Sequence, residues 1–322
     1  MSAPATTVQD TAKNAAGAVD LAARGRKLGL LMTLPAQLLL VFIFAFPALM
    51  QIYISLTWWT PGDGTIWIYA YESFVWFDNY VELITSERLW EPIGRTMLIL
   101  IVVVPVEFVI GLGLAVLFVD SFPGKRVFYS ILLTPMMVVP AVAGYMFFML
   151  FQSNGPINHI LSMLTGLDIN IVWLGDTTLA MVAVMIADIW QWTPLMFLIL
   201  LAGILGVPED QLKAATLLGA NWGQKFWRIV LPRMRTVIII AIVIRAVEAF
   251  KLFDVMYVMT KGGPGVATET ISIYIYKLFK QLEWSYLAAV GLSILIALSI
   301  IAVIGMTLMA KAKQKQVGDV VD

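Results

Sequence analysis

Lys213-Ala214-Ala215-Thr216-Leu217-Leu218-Gly219-Ala220, followed by Phe226 and by Leu231-Pro232, forms a polar, basic segment between two long apolar stretches. Its surroundings decide its meaning. Of the 322 residues, 60% are apolar and 13% charged, whereas soluble domains hold about 25% charged and ~45–50% apolar residues. A chain of this composition belongs in a membrane. The 21 basic and 21 acidic residues cancel, so net charge gives no signal for nucleic acid and the positions of the basic residues matter instead. The chain has no Cys, which excludes disulfides and thiolate chemistry. Its single histidine, His159, lies in a polar loop and cannot build a multi-histidine metal site.

A hydrocarbon core of ~30 Å needs about 20 apolar residues per helix. Six stretches qualify: 28–57, 93–120, 127–151, 177–205, 234–259 and 286–310. The expected fold is therefore an all-α integral membrane protein with six transmembrane helices over 28–310, an N-terminal tail at 1–27 and a C-terminal tail at 311–322. The first apolar run exceeds the ~7–15 residues of a signal-peptide core, which predicts an uncleaved first span. Pro35, Pro47, Pro105, Pro135, Pro140 and Pro194 fall inside spans and predict bends. Arg24, Arg26, Lys27, Lys125, Arg126, Lys213, Lys225, Arg228, Arg233, Arg235, Lys311, Lys313 and Lys315 gather at one set of span ends. Such residues are retained on the cytoplasmic side, so both termini are expected there. Trp58, Trp59, Trp67, Trp76, Trp90, Trp173 and Trp284 cluster at the opposite ends, as an aromatic belt does.

Within 206–233, Pro208, Glu209 and Asp210 suit the start of a short helix that Gly219 terminates. Asn221 with Gln224 suits the cap of a second, ending before Pro232. Ala214, Ala215, Gly219 and Ala220 let another surface approach the backbone, while Leu212, Leu217, Phe226 and Trp227 offer apolar anchors. The residues alone leave open an amphipathic loop lying on lipid headgroups. The pattern, however, resembles the EAA loop of type I ABC importer permeases: Ala214, Ala215, Gly219, Ala220, Phe226, Leu231 and Pro232 fall in register. Lys213 stands where that family has Glu, and Leu218 where sugar permeases have Asp. Thr260-Lys261-Gly262-Gly263-Pro264, with Thr268 and Tyr274 to Tyr276 beyond it, resembles the carbohydrate branch of maltose and glycerol-phosphate type.

The resemblance implies the type I ABC importer permease fold in a bacterial inner membrane, with lipid around it. It implies a second permease chain, expected to be a different one, two ATPase subunits, and an extracytoplasmic solute-binding protein. Glu209, Leu212, Lys213, Ala214, Ala215, Gly219, Ala220 and Phe226 are then the ATPase-coupling residues. No Gly-x-x-x-x-Gly-Lys-Ser/Thr motif is present, so ATP and magnesium are expected on the partner ATPases, with no cofactor, metal or catalytic residue on this chain.

Glu107, Asp188, Arg245, Glu248, Lys251 and Asp254 are ionisable residues inside apolar stretches, where such groups face a bundle interior or a wet cavity. The last four alternate in sign at three-residue steps and predict a ladder in which each pairs with its helical neighbour. Glu107 alone suits a bond to a neighbouring helix. By resemblance, the solute lies between the helices that precede the two signatures. Asp188, Gln191, Trp192 and Leu195 are the matching positions on the first, with Arg245, Glu248, Ala249 and Leu252 on the second. A sugar is the first expectation. An anionic or polyol solute is the alternative, because Arg245 suits a phosphate or sulfonate. An ion-coupled secondary transporter is a different-class alternative, but it should show internal repeats, and none is visible.

The charge distribution generates a topology test on this cysteine-free background. A cysteine placed at 63 should react with an impermeant maleimide from outside, and one placed at 218 only after permeabilisation; the reverse pattern would overturn the orientation.

Overall fold

The computed structural model describes the backbone of residues 6–321 and the side chains of 29, 31–305 and 307. It is a bundle of helices joined by turns. The one strand-like pairing among the described residues is an isolated bridge between Thr57 and Phe74. Helix α1 (Thr6–Ser55) is continuous with the segment expected as a tail, whose first five residues lie outside the described ones. Two 3-10 turns lead to α2 (Asp78–Thr85) and α3 (Glu87–Leu117). Then come α4 (Lys125–Met137), α5 (Pro140–Leu150), α6 (Pro156–Thr165) and α7 (Thr177–Leu205). The loop region holds α8 (Glu209–Leu217), α9 (Trp222–Lys225), a π turn at Phe226–Val230 and α10 (Leu231–Arg233). The chain closes with α11 (Arg235–Phe250), α12 (Asp254–Thr260), α13 (Ile271–Lys280) and α14 (Trp284–Val321).

Among the described residues, four helices are long and apolar enough to cross a membrane: Leu31–Ser55 of α1, α3, α7, and Trp284–Gly305 of α14. The expected third span is a pair, α4 and α5, bent by 98°. Pro140 is the cause. Its ring disfavours helical backbone in the residue before it, and Val138 and Val139 are extended, with ψ of 132° and 133°. The other in-span prolines, Pro35, Pro47, Pro105, Pro135 and Pro194, sit within continuous helices, while Pro140 marks a break. The expected fifth span, 234–259, is also two helices, because α11 ends at Phe250 and α12 begins at Asp254. No Pro or Gly announces that break.

Helix α7 is the axis of the bundle: 61% of its most apolar window is buried, against 6% for α1. Asp176 starts it, accepting from the amides of Thr178 and Leu179 at 2.9 Å each. Around its middle, Met196, Phe197 and Leu200 pack with Val104 of α3 and with Ala241 and Ala249 of α11. Nearer its start, Val184 and Ala187 pack with Phe147 of α5 and with Val255 and Met256 of α12. At the end of α1, Asn79 donates to the carbonyls of Ser55 and Thr57 at 2.9 and 2.7 Å, satisfying acceptors that a helix end leaves open. Trp59 is buried there, edge-on to Trp284 at 6.0 Å, and Trp173 donates to Asn158 at 2.8 Å. These two indoles are packing elements, a correction to the belt expected of all seven tryptophans.

In lipid, helices associate through close packing, since apolar surface gains little by leaving hydrocarbon. Gly144 of α5 marks a close approach to the backbone of another helix: a Cβ there would lie 2.9 Å from the Val255 carbonyl oxygen and 3.0 Å from Val258 Cβ. Gly144→Ala should therefore cost about 1–3 kcal/mol, the usual scale for overpacking, and lower the thermal midpoint of the purified protein. Gly113→Ala, at a site where a Cβ meets nothing within 4 Å, should leave the midpoint unchanged or raised; equal effects would show that α5 and α12 are not closely packed.

Candidate functional site

Three expected in-span charges meet at the centre of the bundle. Arg245 of α11 donates to both oxygens of Glu107 on α3, through Nε at 2.6 Å and Nη2 at 2.9 Å, and Nη2 also contacts Asp188 Oδ2 on α7. Arg245 is 2% exposed, and Glu107 and Asp188 are fully buried. The Arg245 pairing runs across three helices, which corrects that rung of the ladder expected along one, while the Glu248–Lys251 rung forms as expected. Arg245 points into the bundle, whereas Glu248 lies one turn on and bonds Lys251 at 2.9 Å on the accessible side. The interior offers Arg245 two carboxylates, and a guanidinium takes them in the bidentate geometry it prefers. Trp192 covers the cation, with Cζ 5.5 Å from its ring centroid.

The two helix breaks line one cavity together with Asp188 of this charge cluster. Both leave backbone carbonyls without helical partners, and side chains supply the donors. Gln191 Nε2 donates to the Val138 carbonyl at 2.9 Å, and Thr270 Oγ1 donates to that of Leu252 at 3.3 Å. Between the breaks lies a cavity of about 300 Å³ lined by Pro140, by Asp188 and Trp192, by Glu248, and by Lys251 through Val255. Of the eight expected solute positions, Asp188, Trp192, Glu248 and Leu252 line it. Gln191, Ala249 and Arg245 are buried behind the wall, and Leu195 is half-buried one turn away. Lys251, Phe253 and Asp254 line it too, although none was among the expected solute positions. Lys251 and Asp254 carried the signal of in-span charges that face an interior or a wet cavity, whereas Phe253 is brought there by the break, which its residue type does not reveal.

The 206–233 loop has the expected two-helix form. Gly219, at φ +82°, ends α8: its amide bonds the Thr216 carbonyl at 3.0 Å and that of Ala220 bonds the Ala215 carbonyl at 2.9 Å, a Schellman closure. Asn221 and Gln224 form the expected reciprocal cap at 2.8 and 2.9 Å. The chain then continues helically through Pro232 to Arg233, which corrects the expected stop before Pro232: the π turn at Phe226–Val230 accommodates the ring. Leu212 and Phe226 turn toward the bundle and pack on its core, while Leu217, Leu218 and Trp227 are 90%, 89% and 67% exposed. Lys213 bonds Glu209 one turn earlier at 2.8 Å, and this hydrogen bond lowers the Glu209 carboxyl below its ordinary value. Ala214 and Gly219 are exposed, with Ala215 and Ala220 half-exposed beside them.

A further charge cluster is not foreshadowed by the residue pattern. Glu269, fully buried just after the Gly262-Gly263-Pro264 turn, contacts both Arg88 at the start of α3 and Lys277 of α13. Thr268 ties the same turn together: its hydroxyl lies 2.6 Å from that of Thr260 and donates to the Gly263 carbonyl at 2.8 Å. Glu269 follows a polar turn in the sequence, a setting that gives no hint of burial.

Comparison with known proteins places this geometry. A family model described as binding-protein-dependent transport system inner membrane component matches residues 107–315. The trehalose/maltose transport system permease protein MalF of Thermococcus litoralis is 32% identical over 270 residues, covering 84% of this chain and 89% of that one. The trehalose transport system permease protein SugA of Mycobacterium tuberculosis is 31% identical over 296 residues, covering 89% and 90%. A chain of a bacterial alginate ABC transporter, solved in complex with an alginate pentasaccharide-bound periplasmic protein, has the same fold: TM-score 0.69 at 21% identity, covering 89% of this chain and 93% of that one.

The ion cluster generates a stability test. Arg245→Gln leaves two carboxylates buried without their cation, and breaking such a pair costs about 3–5 kcal/mol. Adding Glu107→Gln and Asp188→Asn should recover much of the loss, read as thermal midpoints of purified protein. Glu248→Gln, which removes a half-exposed partner, should cost at most ~1 kcal/mol; a triple variant no more stable than Arg245→Gln alone would show that the charges are uncoupled.

Proposed function

The chain belongs to the family of binding-protein-dependent transport system inner membrane components, and on that premise we propose that it is the membrane-spanning permease subunit of an ATP-driven importer for a sugar or sugar-like solute. Relatives named for trehalose and maltose support the solute class. The observation that carries the subunit role is the 206–233 loop: a tightly capped two-helix element with its inner side chains on the bundle and an apolar tip, Leu217 and Leu218, left exposed. A nucleotide-binding subunit docks on that tip. ATP and magnesium belong to two such subunits, and a second permease chain completes the pore.

In this reading six spans place both termini in the cytoplasm, with the α4/α5 and α11/α12 pairs each counting as one. A solute-binding protein delivers solute from the opposite face. Closure of the ATPases on bound ATP moves the docked loops and turns the cavity outward; hydrolysis resets it. Within the cavity, Trp192 covers the CH-rich face of a sugar ring, Asp188 accepts from hydroxyls, and Glu248 sits at the rim. Gln191, Ala249 and Arg245 act from behind the wall, holding the break and the charge in place.

Lys213 replaces the Glu expected at its position, but its charge is answered by Glu209 within the same helix. An exposed pair of this kind is worth about 0–1 kcal/mol, so Lys213→Ala should leave coupling nearly intact. Gly219→Asp should abolish stimulation of ATPase activity by solute-loaded binding protein in proteoliposomes. A Cβ at Gly219 meets nothing within 4 Å in this chain, so intrusion on a partner's surface is the expected cause. Gly219→Ala carries the same φ penalty, ~1–2 kcal/mol, with less bulk, and should retain partial stimulation. Full stimulation in Gly219→Asp would overturn the docking assignment.

A further inference from the structure

Resting on the reading of the cavity as the solute site, we propose that its wall filters by charge: it takes uncharged, hydroxyl-rich solutes and rejects anionic ones, with Asp188 as the specificity-determining residue. Asp188 is fully buried and lines the cavity. One of its oxygens is held by Arg245, but Oδ1 has no hydrogen-bonding partner. Buried carboxylate oxygens are nearly always satisfied, so an unpartnered one on a residue that lines a cavity calls for a donor from outside the chain. A sugar hydroxyl is such a donor and forms a charge-assisted bond to the carboxylate. A phosphate, sulfonate or uronic carboxylate brings only acceptors and a like charge.

The remaining wall charges act in the same sense. Asp188, Glu248 and Asp254 line the cavity, and Lys251 is the only cation among its lining residues. Lys251 is bonded to Glu248 at 2.9 Å. Arg245, whose charge and position in the sequence suit an anionic solute, does not face one: its guanidinium is shared between Glu107 and Asp188 behind the wall. Discrimination therefore comes from repulsion of the wrong solute at no cost to the right one, a common route to specificity. Like charge acts most strongly at Asp188, which is fully buried and poorly screened, and less at the half-exposed Glu248 and the exposed Asp254.

The test uses the permease–ATPase complex purified in detergent without its binding protein, so that only the membrane site selects. Equilibrium dialysis compares radiolabelled maltose and trehalose with their phosphate monoesters. The intact complex should bind at least one neutral disaccharide about 10-fold or more tighter than its phosphate ester, and Asp188→Asn should narrow that ratio to about 3-fold or less. Should Asp188→Asn fail to assemble by size-exclusion chromatography, Asp254→Asn, at an exposed wall position, should narrow the ratio partly. A phosphate ester that binds the intact complex as tightly as the neutral sugar overturns the charge filter and leaves the sugar cavity standing. An unchanged ratio in the assembled variants does the same. Failure of every sugar, neutral or phosphorylated, to bind overturns the sugar reading, and the filter with it.

Discussion

Burying a guanidinium and two carboxylates in one apolar bundle constrains most of what surrounds them. Each ion out of water costs several kcal/mol, and mutual attraction offsets this only when geometry is close and the remaining donors and acceptors are met. Arg245, Glu107 and Asp188 meet the condition by converging from α11, α3 and α7. Those three helices can therefore rotate or slide little relative to one another at this level, because a shift of an ångström or two would separate the charges without solvating them. The apolar contacts of Met196, Phe197 and Ala249 fill the space beside the ions, but they are non-directional and would tolerate a change of register that the ions forbid.

Fixing three helices leaves the two broken ones to shape the cavity. The α4/α5 turn and the α11/α12 turn expose backbone that lipid could not satisfy, so each must face protein or a wet space. Gln191 answers one and Thr270 the other. Gln191 projects from the same stretch of α7 as Asp188 and Trp192, so a single helix supplies the acceptor, the aromatic surface and the support for the opposite wall. That economy explains why a buried amide sits where an apolar residue would pack more simply. The close approach of α5 and α12 at Gly144 holds the two breaks on the same cavity.

Much of this was legible in the residues. The long apolar runs of α1, α3, α7 and α14 carry their own length, and in-span charges are costly enough that Glu107, Asp188 and Arg245 announced an interior role. The Gly219 closure and the Asn221–Gln224 cap were readable because their chemistry is local. Partners were not readable: spacing of three residues put Glu248 next to Arg245 on paper, while the third dimension put Glu107 there, 138 positions away. The α11/α12 break was silent for a related reason. Residues 250–254 contain no Gly or Pro, and the break is stabilised by Thr270 from outside the helix. Leu212 and Phe226 were read as anchors for a partner because a loop sequence cannot say which of its apolar residues turn inward.

The position of the loop gives the ion cluster its mechanical relevance. Residues 206–233 join the end of α7 directly to the start of α11, the helices that carry Asp188 and Arg245. From Gly206 back to Asp188 is 18 residues of helix, roughly 27 Å at 1.5 Å per residue, so both helices act as levers with one end in the loop and the other in the charged layer. Loop side chains reinforce this: Leu212 and Phe226 pack against the α3 and α7 core, so that the loop cannot swing freely on its own. A displacement applied at Leu217 and Leu218 is therefore borne by α7 and α11 together. In the proposed importer it would reach the cavity as a relative movement against α3, where Glu107 must either follow Arg245 or lose it. An interaction that tolerates so little stretch has discrete arrangements and few intermediate ones, which is the property a site needs if it is to face one side of the membrane or the other.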